Sequence, residues 1–152
     1  MAAVARPLAV LPGEGTSVPG PAGGLLTFKA RGEDTDGRLL AIENVIAPLD
    51  GPPLHSHGHE DESWYVIEGT LRFQLGEHEA EAPQGSFVFV PRGTPHAFRN
   101  IGDAPARILV VFTPSGMERF FDEFAQLEKA DPAAFAQLGA PAGMQVLGPP
   151  LR

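Results

Sequence analysis

Turn-forming residues constrain the fold of this chain more than any other feature. Its 152 residues include 18 glycines and 16 prolines, a content that is high for a helical protein and usual for short strands joined by tight turns. Between the turns, apolar and polar residues alternate, most clearly in residues 70–75, and alternation with a period of two is typical of a half-buried β-strand. About nine short strands at this spacing predict an all-β fold of the double-sheet jelly-roll type.

The size and charge of the chain limit its organisation and its partners. A chain of this length is long enough for one domain with a substantial core and too short for two typical ones. The net charge of −8, without any cluster of lysine and arginine, argues against nucleic acid and anionic membranes as partners. No stretch approaches the length of a transmembrane helix, and we expect a cytoplasmic protein.

Three of the five histidines lie within eight residues, together with three carboxylates. On a β-strand His55 and His57 share one face, roughly 6.5–7 Å apart, so that one ion can lie between them. His59 would continue this face only if the strand persisted, but Gly58 and the acidic residues after it predict a turn. We therefore rank His59 below the first pair and leave its participation open. A loop or bulge at Gly58 would reset the register and bring Glu62 to the same site.

A second cluster, in residues 85–100, combines a strand, a Pro-Gly turn and His96 at the start of the next strand. The chain contains no cysteine, so nitrogen and oxygen have to hold any metal. Three imidazoles and one carboxylate suit a divalent ion such as Fe, Mn, Ni, Co or Zn, and four protein ligands leave an open coordination position. The predicted ligands are His55, His57, Glu62 and His96.

These two stretches resemble the paired motifs of the cupin superfamily. The first motif consists of two histidines, a glutamate and a glycine, and it is met by His55, His57, Glu62 and Gly69. The second motif is met in every element, by Gly85, Pro91, Gly93, His96 and Asn100. The chain departs from the family at the front, where Gly51 stands four residues before the first histidine and the family usually has a glycine six before it. The resemblance covers roughly residues 38–127. The sequence around the ligands is most similar to that of small single-domain, quercetin 2,3-dioxygenase-like cupins.

The resemblance implies a cupin double-stranded β-helix, a jelly-roll barrel with one or two C-terminal helices. We assign residues 1–24 to a flexible N-terminal arm, with one short strand near residues 8–11, residues 25–113 to the barrel, and residues 114–152 to a helical segment and tail packed on it. Ser115 and Glu118 have the spacing of a capping box and predict a helix that runs to about Lys129. Asp131 and Pro132 predict the start of a second, short helix.

For function, the resemblance implies a metal-dependent dioxygenase that opens a flavonol-like, enediol or β-diketone small molecule without an organic cofactor. Glu62 would be both a ligand and the catalytic base. Strand alternation places Trp64 and Val66 on the face of Glu62, and Phe98 on that of His96, so these three are candidates for the substrate pocket or, alternatively, part of the barrel core. A metal-assisted isomerase, epimerase or hydrolase remains open, as does a non-catalytic binding module.

We also expect a homodimer, because open jelly-roll sheets leave edge strands that need cover and the N-terminal arm is long enough to reach a neighbouring subunit.

Overall fold

The computed structural model describes residues 4–129 and 131–152 and contains eleven strands, three α-helices and one short 3₁₀ helix, Ala140–Ala142, in that part of the chain. The strands are β1 (Thr16–Pro19), β2 (Gly23–Ala30), β3 (Leu40–Ile46), β4 (Pro53–His57), β5 (Asp61–Glu68), β6 (Thr70–Leu75), β7 (His78–Pro83), β8 (Phe87–Val90), β9 (His96–Asn100), β10 (Ala106–Thr113) and β11 (Met144–Pro150). The helices are α1 (Gly32–Thr35), α2 (Glu118–Phe124) and α3 (Pro132–Gly139). In these described residues no helix is long and apolar enough to span a membrane.

The strands form two antiparallel sheets. The order in the first sheet is β1-β2-β3-β10-β5-β8, and the order in the second is β11-β4-β9-β6-β7. Neighbours in each sheet are often distant in sequence, as expected for the crossed connections of a jelly roll. The expected all-β fold, a double-stranded β-helix with C-terminal helices, is confirmed.

Alternation along the strands explains why the two sheets share one core. On β3 the side chains of Leu40, Ile42, Asn44 and Ile46 are buried, and those between them are half-buried. The same pattern recurs on β10. Each fully buried isoleucine or leucine stabilises the fold by about 1.5–3 kcal/mol relative to an exposed one. The core therefore rests on apolar packing, independently of any metal.

Strand register places the candidate site at one end of this core. On β5, Glu62 lies opposite Phe112 of β10, and Trp64 lies opposite Val110. Val110 in turn lies opposite Ile42 of β3. Because side chains two residues apart share a face, Glu62 and Trp64 both point between the two sheets.

Gly51 and Asn100 have structural roles. A Cβ at Gly51 would collide with the carbonyl oxygen of Phe98, so this position next to the backbone of β9 has no room for a side chain. The side-chain amide of Asn100 donates to the carbonyl oxygens of Ile46, at 3.1 Å, and Ala104, at 2.8 Å. Both residues hold the loops around the barrel and do not contact the candidate metal site.

The two ends of the chain contribute more strand than the sequence indicated. β1 and the start of β2 fall within residues 1–24, which were assigned to an arm, and the strand expected near residues 8–11 is not formed. Residues 1–3 of that arm lie outside the described residues. At the other end, β11 pairs with β4 beside the candidate site.

The predicted start and the predicted end of the first C-terminal helix were both wrong. α2 begins after Met117, which has no side-chain cap, so Ser115 and Glu118 do not form a capping box. Instead the Glu118 carboxylate accepts hydrogen bonds from the backbone N–H groups of Gly116, at 2.8 Å, and Gly32, at 3.2 Å. Glu118 therefore ties α2 to the α1 turn.

α2 also ends at Phe124 and does not continue to about Lys129. Beyond it, the N–H groups of Gln126 and Leu127 bond to carbonyls three residues back, which tightens the chain into a turn. The second predicted helix is confirmed as α3. The Asp131 carboxylate accepts from the N–H of Ala134 at 2.8 Å, which is the N-cap interaction expected from the sequence.

Candidate metal centre

The structure brings together the four side chains that the sequence analysis selected. His55 and His57 come from β4, Glu62 from β5 and His96 from β9. Each offers a ligand atom, and these atoms all lie within 4.8 Å of one another. All four side chains are buried, with at most 5% of their surface exposed. The cluster joins the two sheets, because β4 and β9 belong to one and β5 belongs to the other.

Hydrogen bonds orient two of the imidazole rings. His55 Nδ1 donates to the carbonyl oxygen of Pro53 at 2.7 Å, and His96 Nδ1 donates to that of Thr94 at 2.9 Å. A carbonyl oxygen can only accept, so Nδ1 of each ring carries the proton in these contacts. The Nε2 atom of each ring therefore faces the cluster and can serve as a metal ligand.

Glu62 is the anionic centre of the cluster. Its Oε2 atom lies 2.9 Å from His96 Nε2 and 3.1 Å from His57 Nε2. Burial alone would raise the pKa of Glu62, but its contacts with His57 and His96 outweigh this effect and hold the pKa well below its usual range. Glu62 is therefore ionised at neutral pH.

The pKa values of the histidines respond to the same environment. Burial, together with the positive charges that His96 and His57 would carry, lowers the pKa of His55 to about 3. Burial also acts to lower the pKa of His96, but the hydrogen bond to Glu62 outweighs it, and the net shift is upward. His55 is thus a neutral ligand over the physiological range, whereas the contact with Glu62 favours the protonated form of His96, with which a metal would compete.

The residues present fit a first-row divalent ion. Ligand atoms that each lie about 2.1 Å from one ion are at most about 4.2 Å apart. The four ligand atoms here lie within 4.8 Å of one another, so side-chain movements of less than about 1 Å would bring them to coordination distance. Both ring nitrogens of His57 are buried and make no well-aligned hydrogen bond, although Nε2 lies 3.1 Å from Glu62 Oε2. An orphaned buried nitrogen is costly, and a metal bond to Nε2 would satisfy it. The cluster could therefore hold one metal ion.

Metal affinity should fall on acidification because protons and metal compete for His96 Nε2. The raised pKa of His96 means that this competition begins nearer neutral pH than for an ordinary histidine, while His55, with a pKa of about 3, contributes only in strong acid. One displaced proton weakens apparent affinity about tenfold per pH unit below that pKa. Chelator competition with Zn²⁺ between pH 5.5 and 8 measures this slope, and an affinity that is constant over that range would contradict it.

A cavity of about 50 Å³ opens beside the cluster. Trp64 and Phe98, two of the predicted pocket residues, line it, whereas Val66 lies in the core and is not among the described residues that do. Helices α2 and α3 supply part of the wall. The lining residues are Pro21, Ala22, Ile42, Asn44, Pro52, His55, His57, Glu62, Trp64, Phe98, Val110, Phe112, Met117, Phe120, Phe121, Phe135 and Met144.

Two polar groups in this wall lack a partner. Trp64 Nε1 and Asn44 Oδ1 are buried without a hydrogen bond, and the Trp64 ring packs edge-on against His96 with centroids 5.4 Å apart. Asn44 and its neighbour Glu43 lie on opposite faces of β3. Asn44 faces inward, while Glu43 pairs with Arg107 on the outside at 3.2 Å.

His59 lies outside the cluster. Its side chain is exposed, and its ring packs against Gly143 at the start of β11, where an added Cβ would lie 2.3 Å from His59 Cδ2. The chain bends at Gly58, whose N–H donates to the Gly143 carbonyl at 3.0 Å. The bend turns His59 outward and lets Glu62 enter from β5.

Glu60, predicted to lie in a polar turn, is instead buried beside the cluster. It is only 3% exposed, and its Oε2 lies 3.9 Å from His57 Nδ1. Burial, the largest effect, raises the pKa of Glu60. Phe135 of α3 was not predicted at the site either, and its ring packs against His55 with centroids 5.8 Å apart. No local sequence signal marks either residue, because both positions are decided by how loops and helices pack on the barrel.

Comparison with known proteins relates this architecture to a family. Residues 44–112 match the model of the cupin domain. An uncharacterized protein of Methanocaldococcus jannaschii is 34% identical over 79 residues, which are 51% of this chain and 63% of that protein. The tetracenomycin polyketide synthase protein TcmJ of Streptomyces glaucescens is 34% identical over 80 residues, 53% of this chain and 52% of that protein.

More distant matches agree on the fold. Quercetin 2,3-dioxygenase of Bacillus subtilis is 26% identical over 89 residues, 59% of this chain and 26% of that protein. The solved structure of an RmlC-like cupin from Shewanella frigidimarina has a TM-score of 0.59 at 17% identity, covering 69% of this chain and 88% of that one. The first two relatives are matched over 63% and 52% of their own length. The match to the cupin domain thus covers residues 44–112, and the likeness to the solved structure supports a cupin-like fold.

Proposed function

We propose that His55, His57, Glu62 and His96 bind one divalent transition metal ion, and that the protein is a metal-dependent dioxygenase acting on a small enediol-type or β-diketone molecule. The observation that carries this proposal is a buried cluster of three imidazoles and one carboxylate that opens on an apolar cavity. A distant similarity to a quercetin dioxygenase supports the reaction class.

The charge of the site favours a monoanionic substrate. A divalent ion with one carboxylate ligand carries a net charge near +1, which suits a deprotonated hydroxyl beside a carbonyl. Among the described residues that line the cavity there is no lysine or arginine. A phosphate monoester or a dicarboxylate carries close to two negative charges, so a net charge near +1 at the metal would leave part of its charge without a compensating side chain. The cavity therefore disfavours sugar phosphates, which weighs against a sugar-phosphate isomerase.

The size of the cavity favours a small substrate. Pockets for drug-sized ligands measure about 300–1,000 Å³, whereas this cavity measures about 50 Å³. A compact β-diketone such as acetylacetone requires little displacement of the walls. A flavonol requires Phe120, Phe121 and Phe135 to move outward with α2 and α3. We therefore place compact substrates ahead of flavonols.

Glu62 and Trp64 have separate roles in this scheme. The bound metal would supply the Lewis acidity that lowers the pKa of the substrate hydroxyl and the redox chemistry with dioxygen. Glu62, ionised and next to two imidazoles, accepts the substrate proton; because its pKa is low, this transfer needs a substrate hydroxyl that is itself acidified. Trp64 Nε1–H, which lacks a partner, donates a hydrogen bond to the second substrate oxygen. The surrounding phenylalanines exclude water.

The test combines metal analysis with oxygen uptake. Protein purified without added metal should contain a stoichiometric first-row metal and consume oxygen with acetylacetone faster than with 3-hydroxyflavone. Metal-dependent turnover without oxygen uptake would instead indicate an isomerase, epimerase or hydrolase. Saturable binding without turnover would indicate a non-catalytic ligand-binding protein.

We also propose a homodimer. β8 is an edge strand of the six-stranded sheet, and the exposed aromatic side chains of Tyr65, Phe87 and Phe89 lie on and beside it. Exposed edges and apolar patches are typical association surfaces. Light scattering at micromolar concentration should give twice the chain mass of 16.1 kDa, and Phe87→Glu should lower it. Leu147→Glu, on the other sheet, is the control, and a monomeric mass for the unmodified protein would refute the dimer.

A further inference from the structure

His57 differs from the other two histidines of the cluster in what holds its ring. Nδ1 of His55 and Nδ1 of His96 each bond to a backbone carbonyl two residues earlier. His57 Nδ1 is buried and has no hydrogen-bond partner. A histidine that binds metal through Nε2 carries its proton on Nδ1, and that proton usually has an acceptor that fixes the ring.

A carboxylate close to this unpartnered nitrogen belongs to Glu60. Its Oε2 lies 3.9 Å from His57 Nδ1, and this oxygen is also buried without a hydrogen-bond partner. A donor and an acceptor that both lack partners thus face each other about one ångström beyond hydrogen-bond distance. A small side-chain rotation would close the gap and satisfy both atoms.

The residues around Glu60 favour His57 as its hydrogen-bond partner. Arg92, on the neighbouring turn, is already paired with Asp61, at 3.2 Å. On the other side, Glu60 Oε1 packs near the backbone of Gly116, where an added Cβ would lie 3.4 Å away. The loop before α2 thus covers the carboxylate and keeps it beside His57.

We infer that Glu60 is a positioning residue for the metal site: its carboxylate accepts the hydrogen bond of His57 Nδ1–H when Nε2 binds the metal. This inference rests on the proposed metal site. The contact holds His57 in the tautomer that frees Nε2 and makes this imidazole a stronger electron donor than the two that bond to neutral carbonyls. Loss of the hydrogen-bond acceptor of a metal-binding histidine typically weakens metal affinity about 10–100-fold.

The experiment uses Co²⁺ as the probe, with affinity measured by chelator competition and the ligand field by visible absorption. Glu60→Ala should bind Co²⁺ about 10–100-fold more weakly than the unmodified protein. Glu60→Gln keeps the shape and one acceptor oxygen, so its affinity should lie between the two, with a shifted absorption band because the charge is lost. Asp61→Asn, which changes the adjacent carboxylate outside the cluster, should leave both readouts unchanged.

The outcomes separate this inference from the metal site itself. If the unmodified protein does not bind Co²⁺, the proposed metal site fails. If it binds, and Glu60→Gln has the affinity and the spectrum of the unmodified protein, Glu60 does not position His57 and the inference is overturned. Circular dichroism of each variant shows whether it is folded, and Glu60→Gln carries the test should Glu60→Ala be unfolded.

Discussion

Replacing His96 with alanine should remove most of the bound metal. His96 Nε2 is the ligand atom nearest to Glu62 Oε2, and its ring is held in place by the Thr94 carbonyl. Loss of an outer-sphere partner already costs about 10–100-fold in affinity, so loss of a ligand should cost more than about 100-fold. His55→Ala and His57→Ala should have comparable effects. Elemental analysis and chelator competition measure the loss.

The fold should survive these substitutions, because the core consists of apolar side chains from both sheets. Circular dichroism should therefore show an unchanged β-sheet spectrum. His59→Ala is the matched control, since this histidine is close in sequence but exposed and outside the cluster. Metal contents that are unchanged in all three ligand variants would refute the proposed ligands, and metal loss in His59→Ala would show that the register is wrong.

Glu62→Gln should abolish turnover far more than it lowers metal occupancy. The amide has the size of the carboxylate and retains one oxygen donor, but it cannot accept a proton at neutral pH. Three histidines remain to hold much of the metal. General base catalysis contributes about 10²–10⁴-fold, so the turnover number with acetylacetone should fall by that factor.

The measurement compares oxygen uptake at matched metal content, so that loss of metal is not mistaken for loss of the base. Asp61→Asn is the control, because this carboxylate pairs with Arg92 outside the cluster. Substrate should still bind to Glu62→Gln. If the metal-loaded variant turns over within a fewfold of the unmodified protein, Glu62 is not the base, and a purely Lewis-acid or binding role becomes the better account.

Much of the barrel and the composition of the cluster were predictable from local sequence. Alternation on β3 and β10 follows from a period of two, which any half-buried strand imposes on its residues. The same period places His55 and His57 on one face. The α3 start was predictable as well, because an Asp-Pro pair meets the chemical demands of a helix N-terminus.

Errors arose where a local signal competed with a tertiary contact. Ser115 and Glu118 have the spacing of a capping box, but Glu118 instead satisfies backbone N–H groups of Gly32 and Gly116. Gly32 is distant in sequence and reaches Glu118 only because the fold packs α1 against the loop before α2. A rule based on spacing along the sequence cannot predict a hydrogen-bond partner from a distant part of the chain.

The sequence alone therefore determined most of the barrel strands, their turns and the residues able to hold a metal, because these depend on side-chain chemistry and on short-range periodicity. Only the tertiary structure decided that Asn44 faces inward, that Glu60 is buried beside His57, and that α2 and α3 reduce the cavity to about 50 Å³. These features depend on distances between strands, loops and helices that are far apart in the chain. Such distances are set by packing and not by spacing along the sequence.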